Sequence, residues 1–289
     1  MAAVDMGIKA REVKTTTKLL QAVPLTLEGS AILHQMVRLR WESWRKLSAG
    51  DQDGLLRELA DLAGGWEQEE SSAVYSLLGH KGDLLLIHFR NSFDELNAVE
   101  LRLNQLRVWE FFEPVTSYLS VVELGLYDSS VKLYRYLEAK GVARHSPEWK
   151  RAVEELAARQ REAMRPRLFP KIPVSRYVNF YPMDRRRGEE KNWYTLPIEE
   201  RQRQMEEHGQ VGRRYAGQVQ QIISGSIGLD DWEWGVDLFS DDPLVFKKLI
   251  YEMRFDEVSA VYALFGTFYF GIRCPVAKLG ALLRGNAAS

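Results

Sequence analysis

Cysteine is nearly absent: Cys274 is the only one in 289 residues. That excludes an intrachain disulfide and, in practice, a thiolate-held metal cluster. No Cys-x-x-Cys-His occurs, so haem is not attached through thioethers. Histidine is scarce too, with five in all: His34, His80, His88, His145 and His208. No two have zinc-like spacing and no His-Glu-x-x-His is present, which leaves hydrolytic zinc chemistry without ligands. The formal net charge of −1 gives no general pull toward nucleic acid or an anionic membrane. No apolar run approaches membrane-spanning length, and the N-terminus lacks the apolar core of a signal peptide. A reducing cytoplasm is the expected setting, with no membrane span and no nucleic-acid partner.

What is present is a soluble globular composition, 45% hydrophobic and 27% charged, able to bury a sizeable core. An order of elements then occurs twice. Ala31 to Trp41 reads as a strand, and Leu55, Leu56, Leu59 and Leu62 mark one face of a helix that Gly64 should stop. Ala73 to Leu78 and Leu84 to Arg90 form a hairpin around His80-Lys81-Gly82-Asp83. Ser92 with Glu95 has capping-box spacing and opens a helix whose stripe is Leu96, Val99, Leu103 and Leu106. Tyr118 to Tyr127 closes the unit as a strand.

The second copy runs from a strand at Arg176 to Pro182, through a helix from Pro197 to about Arg213. A hairpin of Gln218 to Ser224 and Trp232 to Phe239 follows, then a helix from Asp242-Pro243 and a last strand at Tyr262 to Ile272. Each half is β-α-β-β-α-β, the ferredoxin-like unit, so the fold class is α+β with two duplicated domains whose sheets pack or join edge to edge. The expected divisions are residues 14–128, a helix-prone linker or insertion at 129–164, and 165–289. The first residues, to about Val13, read as a mobile tail.

Single residues carry competing readings. His208 shares a helix face with Met205 and Gly212, and Gly209 follows it. It is either a cationic or capping residue near a helix end or a neutral imidazole ligand to haem iron. Tyr181, in Asn179-Phe180-Tyr181-Pro182-Met183, is either a packing residue or a redox-active tyrosine. Pro182 suits an edge strand or strand end. Arg185, Arg186 and Arg187, like Arg167, read alone as a solvated face; gathered at one pocket, they would bind a multiply carboxylated ligand. Gln221 either bonds backbone or faces a ligand, and Ser259 can satisfy a local carbonyl.

The segments Arg167-Leu168-Phe169-Pro170, Tyr177 to Met183, Asn192-Trp193-Tyr194-Thr195-Leu196-Pro197, His208 to Gly217, Trp232-Glu233-Trp234-Gly235 and Tyr251 to Ala260 resemble, in the same order, the coproheme decarboxylases of Gram-positive bacteria. These are a branch of the chlorite dismutase family. The resemblance is dense from Arg167 to Arg273 and looser in the first half. It implies a barrel of the dimeric α+β type, two ferredoxin-like domains per subunit, a homopentamer, and a substrate held in the C-terminal domain. The implied reaction uses hydrogen peroxide to turn two propionates of iron coproporphyrin III (coproheme) into vinyl groups, giving haem b.

By the same resemblance, His208 matches the proximal iron ligand and Tyr181 the catalytic tyrosine that becomes a radical. Arg167 and Ser259 match propionate-binding positions, and Gln221 matches a distal glutamine where chlorite-degrading relatives carry arginine. Pro182, Met183 and Trp193 fall in the matched segments and Asp184 directly follows one of them, so the resemblance implies that all four bind the ligand. Arg185 stands where the family commonly has lysine; it keeps the charge but does not readily give up a proton. A haem peroxidase-like enzyme and a non-enzymatic haem carrier or sensor are the alternatives, and an enzyme that delivers coproheme is a plausible transient partner.

Overall fold

The computed structural model describes residues 22–286. The expected tail to Val13 and the start of the first domain at residue 14 lie outside these residues. The first unit comprises β1 (Thr26–Leu39), α1 (Trp41–Arg45), α2 (Ala49–Gln68), β2 (Ser72–Leu77), β3 (Leu84–Arg90), α3 (Phe93–Asn104) and β4 (Phe112–Gly125). Three helices follow: α4 (Tyr127–Ala139), α5 (Pro147–Ala163) and α6 (Arg165–Leu168). The second unit comprises β5 (Tyr177–Arg185), α7 (Ile198–Arg213), β6 (Gln220–Gly225), β7 (Trp234–Ser240), α8 (Leu244–Met253), β8 (Ala263–Phe265) and β9 (Tyr269–Arg273), and α9 (Leu279–Leu282) is the last element among the described residues.

The two ferredoxin-like halves join edge to edge. Strand order is β7-β6-β4-β1-β3-β2-β9-β5-β8, and an additional β7–β5 pairing closes the sheet on itself. One seam pairs Val121 with Gly225, the other Tyr75 with Arg273. Closure removes most free strand edges. Inward-facing residues fill the barrel, among them Ile32, Tyr75, Ile87, Tyr118, Phe180 and Phe239. His34 and Asp237, both fully buried, meet there at 2.9 Å and tie β1 to β7. Helices cover the outer face: α2 and α3 on the first half, α7 and α8 on the second.

Local sequence explains most element ends. Ser92 Oγ accepts the Glu95 N–H at 3.2 Å, while the Glu95 carboxylate accepts from Asn91 N–H at 3.0 Å, one residue before the cap. Ser146 caps α5 with Pro147 in its first turn. Pro197 lies just outside α7, as its N-cap, one position earlier than expected.

Three expectations need correction. Gly64 does not end α2, which continues to Gln68 because Leu55, Leu59 and Ala63 hold its buried face against the sheet. Tertiary packing outweighs the cost of a helical glycine, about 1 kcal/mol. The last strand is not continuous: Val258–Tyr262 is a π-helical turn, and Gly266 to Phe268 interrupt β8 and β9. Nor is Pro182 on an edge, since β5 runs between β7 and the β8–β9 pair. Its missing N–H is tolerated because it faces that interruption, where Gly266 N–H donates to Pro182 O at 2.8 Å. A side chain on Gly266 would strike the Pro182 ring, at 2.8 Å.

Candidate functional site

Alternation along β5 sends Phe180 into the barrel and Tyr181, Met183 and Arg185 out toward the helices. Tyr181 is buried, with the Phe268 ring at 4.6 Å and the Phe265 ring at 5.6 Å. Burial pushes its phenol well above the usual range, and the Arg185 and Arg254 guanidinium groups only partly oppose this. Tyr181 is therefore neutral at ordinary pH. Arg254 itself stacks over Phe265 at 3.9 Å.

Helix α7 supplies the facing row of Met205, His208 and Gly212. His208 Nδ1 meets Asp256 Oδ2 at 2.8 Å, and Ser259 N–H donates to Asp256 Oδ1 at 2.8 Å. Ser259 Oγ lies 3.4 Å from the same Nδ1. Burial alone would raise the Asp256 carboxyl, but the His208 and Ser259 hydrogen bonds outweigh it and hold the group below its usual range. A carboxylate at Nδ1 favours the tautomer protonated there, leaving the Nε2 lone pair for a ligand. Asp256 lies in the turn after α8, and the π-helical turn that follows it carries Ser259 to the same imidazole.

Gly212, one turn beyond His208, faces Met253 Cε and Gln221 Oε1, which an added Cβ would meet in ordinary contact at 3.5 Å and 3.8 Å. Gln221 is exposed on the outer sheet face with Ile223. At the other end of the row, the buried Arg185 guanidinium stacks on Trp193 at 5.3 Å and reaches Met205 Sδ at 3.7 Å. Its Nη1 has no hydrogen-bond partner, and burial disfavours its charge. Trp193 is buried against Tyr262.

Tyr181, Met183, Arg185, Trp193, His208, Gln221 and Ser259 are thus arranged around α7 and the outer sheet face. Pro182 shapes β5, and Asp184 accepts the Glu233 N–H at 2.8 Å, a bond that fixes the start of the β7 strand region. Arg167 is not gathered into this group: it is exposed on α6, with Met164 Sδ at 3.9 Å as its side-chain contact. Sequence reasoning missed Asp256 as the partner of His208 and Arg254 as a cation beside Tyr181. Both lie in the quoted Tyr251 to Ala260 segment, but nothing in their spacing from His208 or Tyr181 announces the contact.

The chlorite dismutase family profile matches residues 52–274. A candidate heme-binding protein of Haloquadratum walsbyi is 43% identical over 272 residues, 92% of this chain but 48% of that protein. The chain thus spans about half the length of this curated relative. The solved structure of a heme-binding protein from Thermus thermophilus is 40% identical, with a TM-score of 0.76 over 91% of this chain and 99% of that one. A chlorite dismutase variant from Candidatus Nitrospira defluvii, 16% identical, shares the fold with a TM-score of 0.65 over 89% of this chain and 95% of its own. With its duplicated barrel and a family profile covering most of its length, the chain belongs to the chlorite dismutase family.

Proposed function

We propose that this chain is a coproheme decarboxylase, using hydrogen peroxide to convert two propionates of iron coproporphyrin III to vinyl groups and so form haem b. One observation carries the proposal. A single wall holds an imidazole with only Nε2 open, a buried neutral phenol, and a buried guanidinium with no carboxylate partner.

That set suits a metalloporphyrin acid. Among the described residues no three acidic, histidine or cysteine side chains cluster to cage a metal. A lone histidine then fits a metal that brings its other ligands with it, as a porphyrin does. A buried guanidinium without an anion is costly, and a propionate would neutralise it in a two-bond fork. His208 would hold the iron through Nε2 while Asp256 fixes its tautomer and ring orientation. The iron porphyrin, when bound, supplies peroxide activation and is itself the molecule altered.

Arg185 would anchor one propionate rather than relay protons, since a guanidinium holds its proton too tightly. Tyr181 is poorly suited to acid–base work, because burial raises its phenol further. Hydrogen-atom chemistry suits it better: having lost its phenolic hydrogen, it would take one from the propionate β-carbon. Loss of a further electron and carbon dioxide leaves the vinyl group. Per side chain, one propionic acid and one hydrogen peroxide give one vinyl, one carbon dioxide and two waters. Gln221 would face the open side of the site, where an arginine would favour chlorite. Arg167 and Ser259 are further propionate candidates, although Ser259 here serves the His208–Asp256 pair. A homopentamer in the cytoplasm belongs to the same proposal.

Tyr181→Phe provides the test. It should bind coproheme normally and lower peroxide-driven carbon dioxide release by at least about 100-fold. Normal release would overturn the mechanism. The second reading, a heme-binding protein without decarboxylase activity, draws on the likeness to the heme-binding protein of Thermus thermophilus. Peroxide consumption without carbon dioxide from the wild type would select a peroxidase-like enzyme, and neither process would select the carrier.

A further inference from the structure

A protein that works with hydrogen peroxide exposes its own sulfur atoms to it. The single thiol, Cys274, is fully buried. Among the described methionines, Met36, Met183 and Met253 are buried, whereas Met164 and Met205 are half-buried. Met205 lies on α7 one turn before His208 and packs among Trp193, Val258 and Tyr262. Its Sδ stands 3.7 Å from Arg185 Nη2. That guanidinium is only 8% exposed, is stacked on Trp193 at 5.3 Å, and has no hydrogen-bond partner at Nη1. A thioether is a weak acceptor, so contact with Met205 leaves the Arg185 donors nearly free for a ligand.

We propose that Met205 is a peroxide-modification site whose oxidation takes Arg185 out of ligand binding. Hydrogen peroxide passes one oxygen to Sδ. Its O–O bond breaks and an S=O bond forms; sulfur gives up two electrons, and the other peroxide oxygen leaves as water with both hydrogens. The thioether thereby becomes a polar sulfoxide with a strong acceptor oxygen, formed where Arg185 Nη2 already stands. The methionine torsions are soft enough to aim that oxygen at either guanidinium nitrogen, while the stack on Trp193 keeps Arg185 within reach. Arg185 is then bonded within its own chain and offers less to an incoming carboxylate. This rests on the reading of Arg185 as a propionate anchor and adds a brake to it: excess peroxide lowers affinity for the porphyrin acid. Met164 is the internal comparison. Its Sδ is 3.9 Å from Arg167 Nη1, but Arg167 is exposed on α6, away from the gathered residues, so a sulfoxide there should leave binding unaltered.

For the test, the full chain without porphyrin is treated with hydrogen peroxide, quenched, and mapped by peptide mass. Iron coproporphyrin III is then titrated in and followed by the Soret band. Wild type carrying the Met205 sulfoxide should bind roughly tenfold more weakly than its untreated sample, the scale of losing a hydrogen bond to a charged group. Met205→Leu removes the sulfur at similar volume, and its treated and untreated samples should agree. A Met205 left intact while Met164 is oxidised would overturn the proposal. So would a Met205 sulfoxide that binds normally, or equal weakening in Met205→Leu. If untreated wild type binds no porphyrin, the porphyrin reading falls, and the thermal midpoint tests the capture of Arg185 alone. The sulfoxide should then lower the midpoint less in wild type than in Arg185→Met, which offers its oxygen no donor; equal falls would overturn the capture as well.

Discussion

The two halves share one fold and differ in what lies between helix and sheet. In the first half the space under α2 is packed by Leu59, Ala63, Val74, Leu84, Leu86, Leu103 and Phe112, and the C-terminal segment inserts Val276, Leu279 and Leu283. The Trp44 indole N–H donates to Leu283 O at 3.0 Å and fastens that plug. A void of only about 20 Å³ remains. Its histidine, His88, is bonded to Ser72 Oγ at 2.8 Å and is pushed down to about 3, chiefly by burial. In the second half the outward side of the sheet carries Tyr181, Arg185 and Gln221, α7 carries His208, and this histidine is paired with a carboxylate. A duplicated fold thus keeps one interior closed for stability and furnishes the other with groups that stability alone would not select.

The largest stability effect should come from opening the closed half. Leu279→Ala removes a fully buried plug residue and should cost about 2–5 kcal/mol in denaturant unfolding, with porphyrin affinity unchanged. Reduced affinity at full occupancy of the folded state would mean that the halves are functionally coupled. Acid should act on the same half. His88 is neutral in the fold but takes a proton in the unfolded chain below about 6.5. Its contribution is therefore whole above that pH and is lost as the pH falls toward 3, by on the order of a few kcal/mol. His88→Gln should flatten this part of the stability–pH curve; an unchanged slope would remove His88 as its source.

The open half should respond with the opposite sign. Arg185→Met deletes a buried cation lacking an anion, so the ligand-free protein should gain about 1–3 kcal/mol while coproheme binding weakens at least roughly tenfold. Loss of both would make Arg185 an ordinary structural residue. Arg185→Lys should have the smallest effect, because lysine keeps the charge and loses only the second bond of the fork and the stack on Trp193. Accumulation of a monovinyl porphyrin in wild type, relieved by this substitution, would instead assign proton relay to that position.

The repeat was legible because each half carries its own periodicities and turn residues, and period-2 and period-3.6 patterns are local. The end of α2 was not, because Gly64 is overruled by packing of Leu55 and Leu59 against residues distant in sequence. The broken last strand depends on Pro182, whose effect falls on Gly266 across the sheet. At the site, His208 and Tyr181 stand out through the motifs around them. Asp256 acts only through contacts formed when the turn after α8 meets α7, which no short segment encodes. Arg167 belongs to a matching motif, yet α6 carries it to the surface.

Mass spectrometry of the porphyrin, after hydrogen peroxide is titrated into the coproheme-loaded wild-type protein, tests the central claim most directly. Two successive losses of about 46 mass units, each a carboxyl group and one hydrogen, are the expected result. A bound porphyrin of unchanged mass would contradict decarboxylation and leave a heme-binding barrel with another role.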